Sequence, residues 1–210
     1  MINPASVREK RRPRGVVFAA TLQLLTAVPF LGGSVIVFFY GAGAQAAAEA
    51  EVVRQGLPAA VLAEHGISFG ANLAEIPLAL GIALVLTTLA LLNLKGSRIG
   101  RTLSWILQPI LFVAGCLIVP SQVFTAQVLE SSVKNSGDPV LARIDVRAMV
   151  DAAVHVMPGW LLPVNIGKLA LTTLGSLLVV ILLAVPSAKA YFRGKKPRFV
   201  SPWPGAGRAS

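Results

Sequence analysis

Apolar residues along the chain fall into four long blocks, at about residues 15–40, 73–94, 102–123 and 168–190, with polar connections between them. A helix rises about 1.5 Å per residue, so about 20 apolar residues cross the ~30 Å hydrocarbon core of a bilayer. Each block reaches that length, and the Gly, Pro and Thr residues inside the blocks are normal in membrane helices. The pattern predicts an all-α integral membrane protein with four transmembrane helices.

The tight link at residues 95–101 predicts how these helices are arranged. A connection of about seven residues makes the second and third spans antiparallel neighbours. We therefore predict an antiparallel bundle with helical extracytoplasmic loops, within one transmembrane domain at 15–193. A basic tail at 1–14 precedes this domain, and a basic, disordered tail at 194–210 follows it.

The long connections, outer loops 41–72 and 124–167, contain helical patterns. Ala-rich residues 44–55 are expected to continue the first span beyond the bilayer. In the second loop, Asp138 and Pro139 are typical of the cap and first position of a helix. Polar residues would then recur every four positions and form an exposed docking ridge: Arg143, Arg147, Asp151 and His155. An apolar ridge would lie beside them: Val140, Ile144, Ala148, Ala152 and Val156. Trp160 is expected to anchor the chain at the membrane interface.

Charge gives the helices a direction. The N-terminal tail, the 95–101 link and the segment from residue 189 onward hold 14 of the 19 Lys and Arg, against one acidic residue. The segments 41–75 and 120–168, which contain the two long connections, hold five basic residues against eight acidic ones. Because loops rich in Lys and Arg stay cytoplasmic, both termini are predicted to be cytoplasmic. The same bias explains the net charge of +10 without a nucleic-acid partner.

Composition excludes an ordinary soluble domain. With 55% hydrophobic residues, 13% charged residues and a mean hydropathy of +0.72, the chain differs from soluble domains, in which about 25% of residues are charged. A single cysteine, Cys116, allows no internal disulfide. Ala42-Gly43-Ala44 resembles a signal-peptide cleavage site, but the apolar run before it exceeds the usual length of about 7–15 residues. We therefore expect an uncleaved first span.

Polar side chains inside the apolar blocks are the first place to look for function. No Asp, Glu, Lys, Arg or His is expected in the middle of any span, which lowers the expectation of proton-coupled transport. The candidates for intramembrane polar contacts are Gln23, Gln108 and Thr172, which either join helices by hydrogen bonds or line a solute path. Small residues at Gly32-Gly33 and Gly115-Cys116 would let helices approach closely.

Sequence motifs give no indication of catalysis. Asp151 and His155 lie one helical turn apart and would have to combine with Glu64 and His65 of the other loop to form an acid–base or metal site. Their spacing matches no metal-ligand motif, and an ordinary surface pair explains them. We predict no catalytic site, no metal and no cofactor. We keep a membrane enzyme that uses the Asp151/His155 neighbourhood as a hypothesis and rank it third.

Thirty Ala, 19 Gly, 14 Pro, and 12 Arg against 7 Lys are typical of a high-GC bacterial genome. The four-span layout resembles small tetraspan proteins of high-GC Gram-positive envelopes, some of which are accessory subunits of larger assemblies such as the Mce-type lipid importers. The layout is also similar to that of claudins, but their W-GLW-C-C signature is absent. The resemblance implies a multi-pass protein of the bacterial inner (plasma) membrane and assigns no site residues.

These observations lead to two main functional hypotheses. The first is a non-enzymatic accessory or assembly subunit of a larger cell-envelope complex, one that handles lipid. Its partners would be other integral membrane proteins and membrane lipid. The alternative is a small oligomeric transporter or channel for a solute or lipid, with Gln23, Gln108 and Thr172 lining its path.

Overall fold

The computed structural model describes residues 12–70 and 75–193. Over this part of the chain the structure is helical and contains no β-strand. Four helical segments are long and apolar enough to cross a membrane: Arg14–Arg54, Glu75–Leu94, Arg98–Leu117 and Leu161–Ala184. The predicted all-α class and the presence of four such helices are confirmed. Residues 1–11 of the predicted N-terminal tail at 1–14, and the whole predicted C-terminal tail at 194–210, lie outside the described residues.

Ten α-helices make up most of the described structure. The first five are α1 (Arg14–Arg54), α2 (Ala60–Glu64), α3 (Glu75–Leu94), α4 (Arg98–Leu117) and α5 (Val119–Val123). The second five are α6 (Thr125–Ser136), α7 (Val146–Val156), α8 (Leu161–Ala170), α9 (Ser176–Ala184) and α10 (Pro186–Arg193). A 3-10 turn at Leu141–Arg143 precedes α7, and a π-helical segment at Leu171–Gly175 joins α8 to α9.

Helix α1 is longer than a bilayer requires. Its 41 residues correspond to about 60 Å, whereas the hydrocarbon core is ~30 Å thick. The first part of α1 packs against α3, α8 and α9, and the part from Ala44 onward packs against α7. One continuous helix therefore belongs to two packed regions of the molecule.

The second of these regions is a helical unit that we call the cap: α1 from Ala44 onward, α2, α6, the 3-10 turn and α7. It has its own apolar core, in which Leu62 and Met149 are fully buried. The other core residues are Ala44, Ala48, Val52, Leu57, Val61, Val133, Leu141, Ile144, Val146, Val150 and Ala153. The side chain of Gln55 bonds both the backbone N–H and the carbonyl of Asp145, which fastens the end of α1 to the start of α7.

Helix α7 begins later than the sequence predicts. Asp145 is its N-cap, with the carboxylate accepting a hydrogen bond from the Ala148 N–H at 3.0 Å. Asp138 instead caps the 3-10 turn through the N–H groups of Val140 and Leu141, because the extended residue Ile144 (ψ 125°) separates turn from helix. Consequently Arg143 lies outside α7, and the predicted continuous ridge is wrong at that residue. The predicted apolar ridge is also displaced, since α7 buries Val146, Met149, Val150 and Ala153.

At the opposite end of the long helices, the chain turns at Gly96 and α10 packs over this turn. The Tyr191 hydroxyl donates a hydrogen bond to the Leu94 carbonyl at 2.8 Å. Gly96 has φ +72°, and a Cβ there would lie 2.9 Å from the Tyr191 ring, so this position requires glycine. Arg98 bonds the carbonyls of Phe192 and Arg193, and Arg101 bonds that of Leu183. The two arginines thus satisfy carbonyl groups at the C-terminal ends of α9 and α10.

Small residues allow close contact at some of the predicted positions and not at others. A Cβ added at Gly115 of α4 would lie 2.7 Å from the Thr172 hydroxyl and 3.2 Å from its backbone carbon. By contrast, Gly32 and Gly33 have no atom within 4 Å of an added Cβ. Gly115 is therefore a point of close helix approach, whereas Gly32 and Gly33 make no such approach to another helix within the described chain.

We expect Gly115→Ala to lower the free energy of unfolding by about 1–3 kcal/mol, because the new methyl group would force α4 away from Thr172. Gly32→Ala is the matched control. It adds the same methyl group in open space and gains helix propensity of up to about 1 kcal/mol. Unfolding of both variants in detergent, followed by circular dichroism, measures the difference. Equal stability of the two variants would contradict the close contact.

Candidate functional site

A cavity of about 480 Å³ lies among α1, α3, α4, α5 and α8. Most of its lining is apolar, including Phe30, Ala79, Ile82 and Leu111. The polar residues of the lining are Ser34, Glu75, Ser121, Gln122, Asn165, Lys168 and Thr172. Its size falls within the ~300–1,000 Å³ of typical ligand pockets, which combine an apolar wall with a few polar groups. We take this cavity as the candidate site.

Lys168 is the charged residue buried most deeply at this cavity. Only 8% of it is exposed. The ammonium donates a hydrogen bond to Gln122 Oε1 at 2.9 Å and lies 4.4 Å from the centre of the Phe30 ring. No carboxylate in the described ranges forms an ion pair with it. An ammonium has three N–H donors, so a buried positive charge is left with a neutral amide and an aromatic face as its neighbours.

The position of Lys168 corrects an expectation from the sequence. The fourth apolar segment begins at Leu161 rather than at residue 168, so Lys168 lies about two turns inside it. The expectation of spans without a buried ionisable group is therefore wrong. Pro163 is compatible with a turn, but here it lies in the first turn of α8, where a proline is accommodated because the N–H groups have no intrahelical partner. The tolerance of proline in the first turn of a helix is thus the sequence signal that could have placed Lys168 inside the fourth apolar segment.

The helix carrying Lys168 changes its hydrogen-bonding pattern at the cavity. The Thr172 hydroxyl, at the start of the π-helical segment, bonds the Lys168 carbonyl at 2.8 Å. Thr172 is fully buried, lines the cavity and faces Gly115 of α4. Single π-helical turns are rare and are frequently found at functional sites. Thr172, predicted as an intramembrane polar contact, therefore contacts its own helix while lining the cavity.

A second buried polar cluster joins α1, α3 and α4 nearer the Gly96 turn. Gln23 Nε2 donates to Ser104 Oγ at 3.1 Å, and Asn93 Nδ2 donates to both Gln23 Oε1 and Ser104 Oγ. All three side chains are at most 1% exposed. Gln108 of α4 is also buried, but the hydrogen bonds of Gln23 go to Asn93 of α3 and Ser104 of α4 rather than to Gln108. Gln23 thus joins helices, through partners that the sequence analysis did not select.

The remaining predicted ridge residues lie on the surface of the cap. Arg147, Asp151 and His155 of α7 are exposed, and so is Arg143 on the preceding turn. Arg147 lies 3.4 Å from a Glu130 carboxylate oxygen, and the His155 ring contacts the Asp151 carbonyl. His65 pairs with Asp138 at 3.0 Å rather than with Asp151 or His155. In the part of the chain that the structure describes, no three His, Cys, Asp or Glu side chains gather as a metal site would require.

Trp160 lies at the start of α8, where it is about half exposed. It lines a shallow apolar groove of about 810 Å³ together with Phe39 and Tyr40 of α1. Tyr and Trp are enriched at membrane–water interfaces. The role of Trp160 as an interface anchor stays a prediction, and its proximity to Tyr40 agrees with it.

No family model, curated protein or solved structure matches this chain.

The polar cluster leads to a test of its structural role. We expect Asn93→Ala to cost about 1–2 kcal/mol, because two interhelical hydrogen bonds and some packing are lost. Thr88→Ala is the control, since the exposed Thr88 hydroxyl bonds only the Leu84 carbonyl of its own helix, and it should change stability by less than about 0.5 kcal/mol. Equilibrium unfolding in mixed micelles measures both. If the two variants lose the same stability, the cluster does not hold the helices together.

The His65–Asp138 pair predicts a pH dependence of cap stability. Hydrogen bonds to the Val61 carbonyl and to Asp138 raise the pKa of His65, and the bond from His65 lowers the pKa of Asp138. The His65 contribution is fully present below its ordinary pKa of about 6.5 and is lost as pH rises through the raised value. The Asp138 contribution is present above about 3.9 and is lost as pH falls through the lowered value.

Wild-type protein should therefore exceed Asp138→Asn in Tm most clearly between about pH 4 and 6.5, with the difference shrinking toward pH 9. Asp151→Asn removes an exposed carboxylate of the same cap and serves as the control. Thermal melts of the three proteins across this range provide the measurement. A Tm difference that is the same at pH 6 and pH 9 would exclude the pair as its cause.

Proposed function

We propose that the protein is a non-enzymatic accessory or assembly subunit of a larger cell-envelope membrane complex that handles lipid. The observation that carries this proposal is the cap, a helical unit with its own apolar core and an exposed polar surface on α7. Exposed ion pairs contribute only about 0–1 kcal/mol to stability. The polar groups of Arg147, Asp151 and His155 therefore add little to the stability of the cap, and we infer that they serve docking on another membrane protein.

The proposal includes an antiparallel four-helix bundle in the bacterial plasma membrane, with the cap outside and both termini cytoplasmic. Charge supports this orientation. Lys95, Arg98 and Arg101 lie at the end where α10 packs, together with Lys189 and Arg193. The eight acidic residues of the described ranges lie in the second half of α1, in the two long connections and in the first turn of α3. Retention of Lys- and Arg-rich loops in the cytoplasm then orients the protein.

A non-enzymatic role is supported by the separation of the groups that could have formed a catalytic site. His65 and Asp138 bond each other at one side of the cap, while Asp151 and His155 stand on the exposed face of α7. General acid–base catalysis requires groups that converge on one substrate within hydrogen-bond reach. The third hypothesis from the sequence, an enzyme at Asp151 and His155, has no such arrangement to support it.

The test is gentle detergent extraction of the tagged protein from its own membranes, with mass spectrometry of what co-purifies. We expect a stoichiometric set of larger membrane proteins. Asp151→Arg, which reverses a charge on the exposed face of α7, should reduce their recovery by about tenfold. Glu64→Arg makes the same charge change on α2 and should leave recovery unchanged. A lone protein without stoichiometric partners would refute the accessory role.

The alternative is a small oligomeric transporter or channel for a solute or lipid. The cavity beside Lys168 favours it, because a charged side chain buried in an apolar helix is the usual mark of a substrate or ion path. Recovery of a homogeneous oligomer carrying bound lipid, in the same extraction, would make this the leading function.

A further inference from the structure

We propose that the cavity among α1, α3, α4, α5 and α8 binds a single-chain anionic amphiphile. Its carboxylate or phosphate group pairs with the Lys168 ammonium, and its hydrocarbon chain lies against the apolar wall. The site does not require that the cap dock on a partner, so this proposal and the accessory role can fail separately.

The burial of Lys168 determines the charge of the ligand. An ammonium removed from water is costly unless it is paired and hydrogen-bonded. Within the protein its neighbours are Gln122 Oε1 and the Phe30 ring. Both are favourable contacts, but neither neutralises the charge. An anion in the cavity would supply the charge-assisted hydrogen bonds for which the ammonium has donors to spare.

The apolar wall determines the rest of the ligand. Ala79 and Ile82 of α3 form part of it together with Leu111 of α4. Leu78 of α3 and Ile118, between α4 and α5, also line the cavity, and each is more than half exposed. The cavity therefore reaches the surface that would face lipid tails. A chain longer than the cavity can continue into the surrounding hydrocarbon, which a wholly enclosed pocket would not allow.

Glu75 also lines the cavity and has the opposite charge to Lys168, but it is far more exposed. Glu75 stands in the first turn of α3 and is exposed, whereas Lys168 is 8% exposed. Solvent screens the exposed carboxylate far more than the buried ammonium. Lys168 therefore sets the electrostatic preference of the cavity, and Glu75 provides a test of the sign of the ligand.

A glycine on the lining also leaves part of the cavity unfilled. Gly33 lines the cavity, and an added Cβ there would meet no atom within 4 Å. The neighbouring residue, Gly32, lines the separate groove near Trp160 and is equally unobstructed. Side chains added at these two positions would therefore enter two different spaces, and their Cβ atoms would meet no neighbouring atom. The pair offers a matched way to block the cavity.

The experiment measures binding to purified full-length protein in a non-ionic detergent, by native mass spectrometry. The probes are palmitate, 1-palmitoyl lysophosphatidate and neutral 1-palmitoyl glycerol. We expect one molecule of each anionic probe per chain and binding of the neutral probe about tenfold weaker or less. The stronger of the two anions identifies whether a carboxylate or a phosphate head group is preferred. Equal binding of all three probes would indicate ordinary lipid adhering to an apolar surface and would overturn the proposal.

Variants then locate the site. Lys168→Gln should weaken palmitate binding by about tenfold or more, and Lys168→Arg should retain it within about threefold. Lys134→Gln removes a lysine charge from the cap surface and should have no effect. Glu75→Gln should bind palmitate at least as tightly as wild type. If Glu75→Gln loses as much palmitate binding as Lys168→Gln, the positive charge of Lys168 does not select the ligand and the proposal is wrong.

Blocking the cavity gives an independent answer should the lysine variants be poorly folded. Gly33→Leu should abolish binding of both anionic probes, because the leucine side chain occupies the cavity. Gly32→Leu carries the same side chain one residue away and should bind both normally. A Tm close to that of wild type verifies the fold of each. Binding retained in Gly33→Leu would show that the anions lie elsewhere.

Discussion

The architecture depends on the continuity of α1. Helices α3, α7, α8, α9 and α10, together with the π-helical segment, all pack against it. A helix satisfies almost all of its backbone hydrogen bonds internally, and Pro29 removes only one donor within α1, so the helix can pass from an apolar medium to an aqueous one without change of structure. Its Ala-rich second half then presents Ala44 and Ala48 to the cap core, where small side chains let α7 approach closely.

The four long helices were predictable from sequence because desolvation of the backbone demands long runs of apolar residues. Their exact starts were not, since competing local signals have similar strength. Asp138 and Asp145 both offer a capping carboxylate, and the structure uses Asp145 for α7 because the chain is extended at Ile144. Likewise Pro163 is compatible with a turn and with the first turn of a helix, and the helical solution brings Lys168 into the apolar segment.

The candidate site was harder to predict because its members come from five helices. Thr172 was identified as a polar contact, but its partner surface, Gly115, depends on how α4 meets the π-helical segment. Gln23 was identified too, yet Asn93 and Ser104 gain their importance only from helix packing. The two polar regions also differ in kind. The amide cluster satisfies most of its own hydrogen bonds, whereas the Lys168 charge has no counterion in the described structure.

The arginines beside the Gly96 turn have a further consequence. Arg98 and Arg101 belong to the basic link at residues 95–101, and their guanidinium groups also bond the terminal carbonyls of α9 and α10. These bonds need planar, multidentate donors at fixed positions, which lysine does not supply equally well. The charge on which the proposed orientation rests and the bonds that fix the ends of the final helices thus belong to the same two residues. A substitution that keeps the positive charge but removes either guanidinium group would lose hydrogen bonds to α9 or α10.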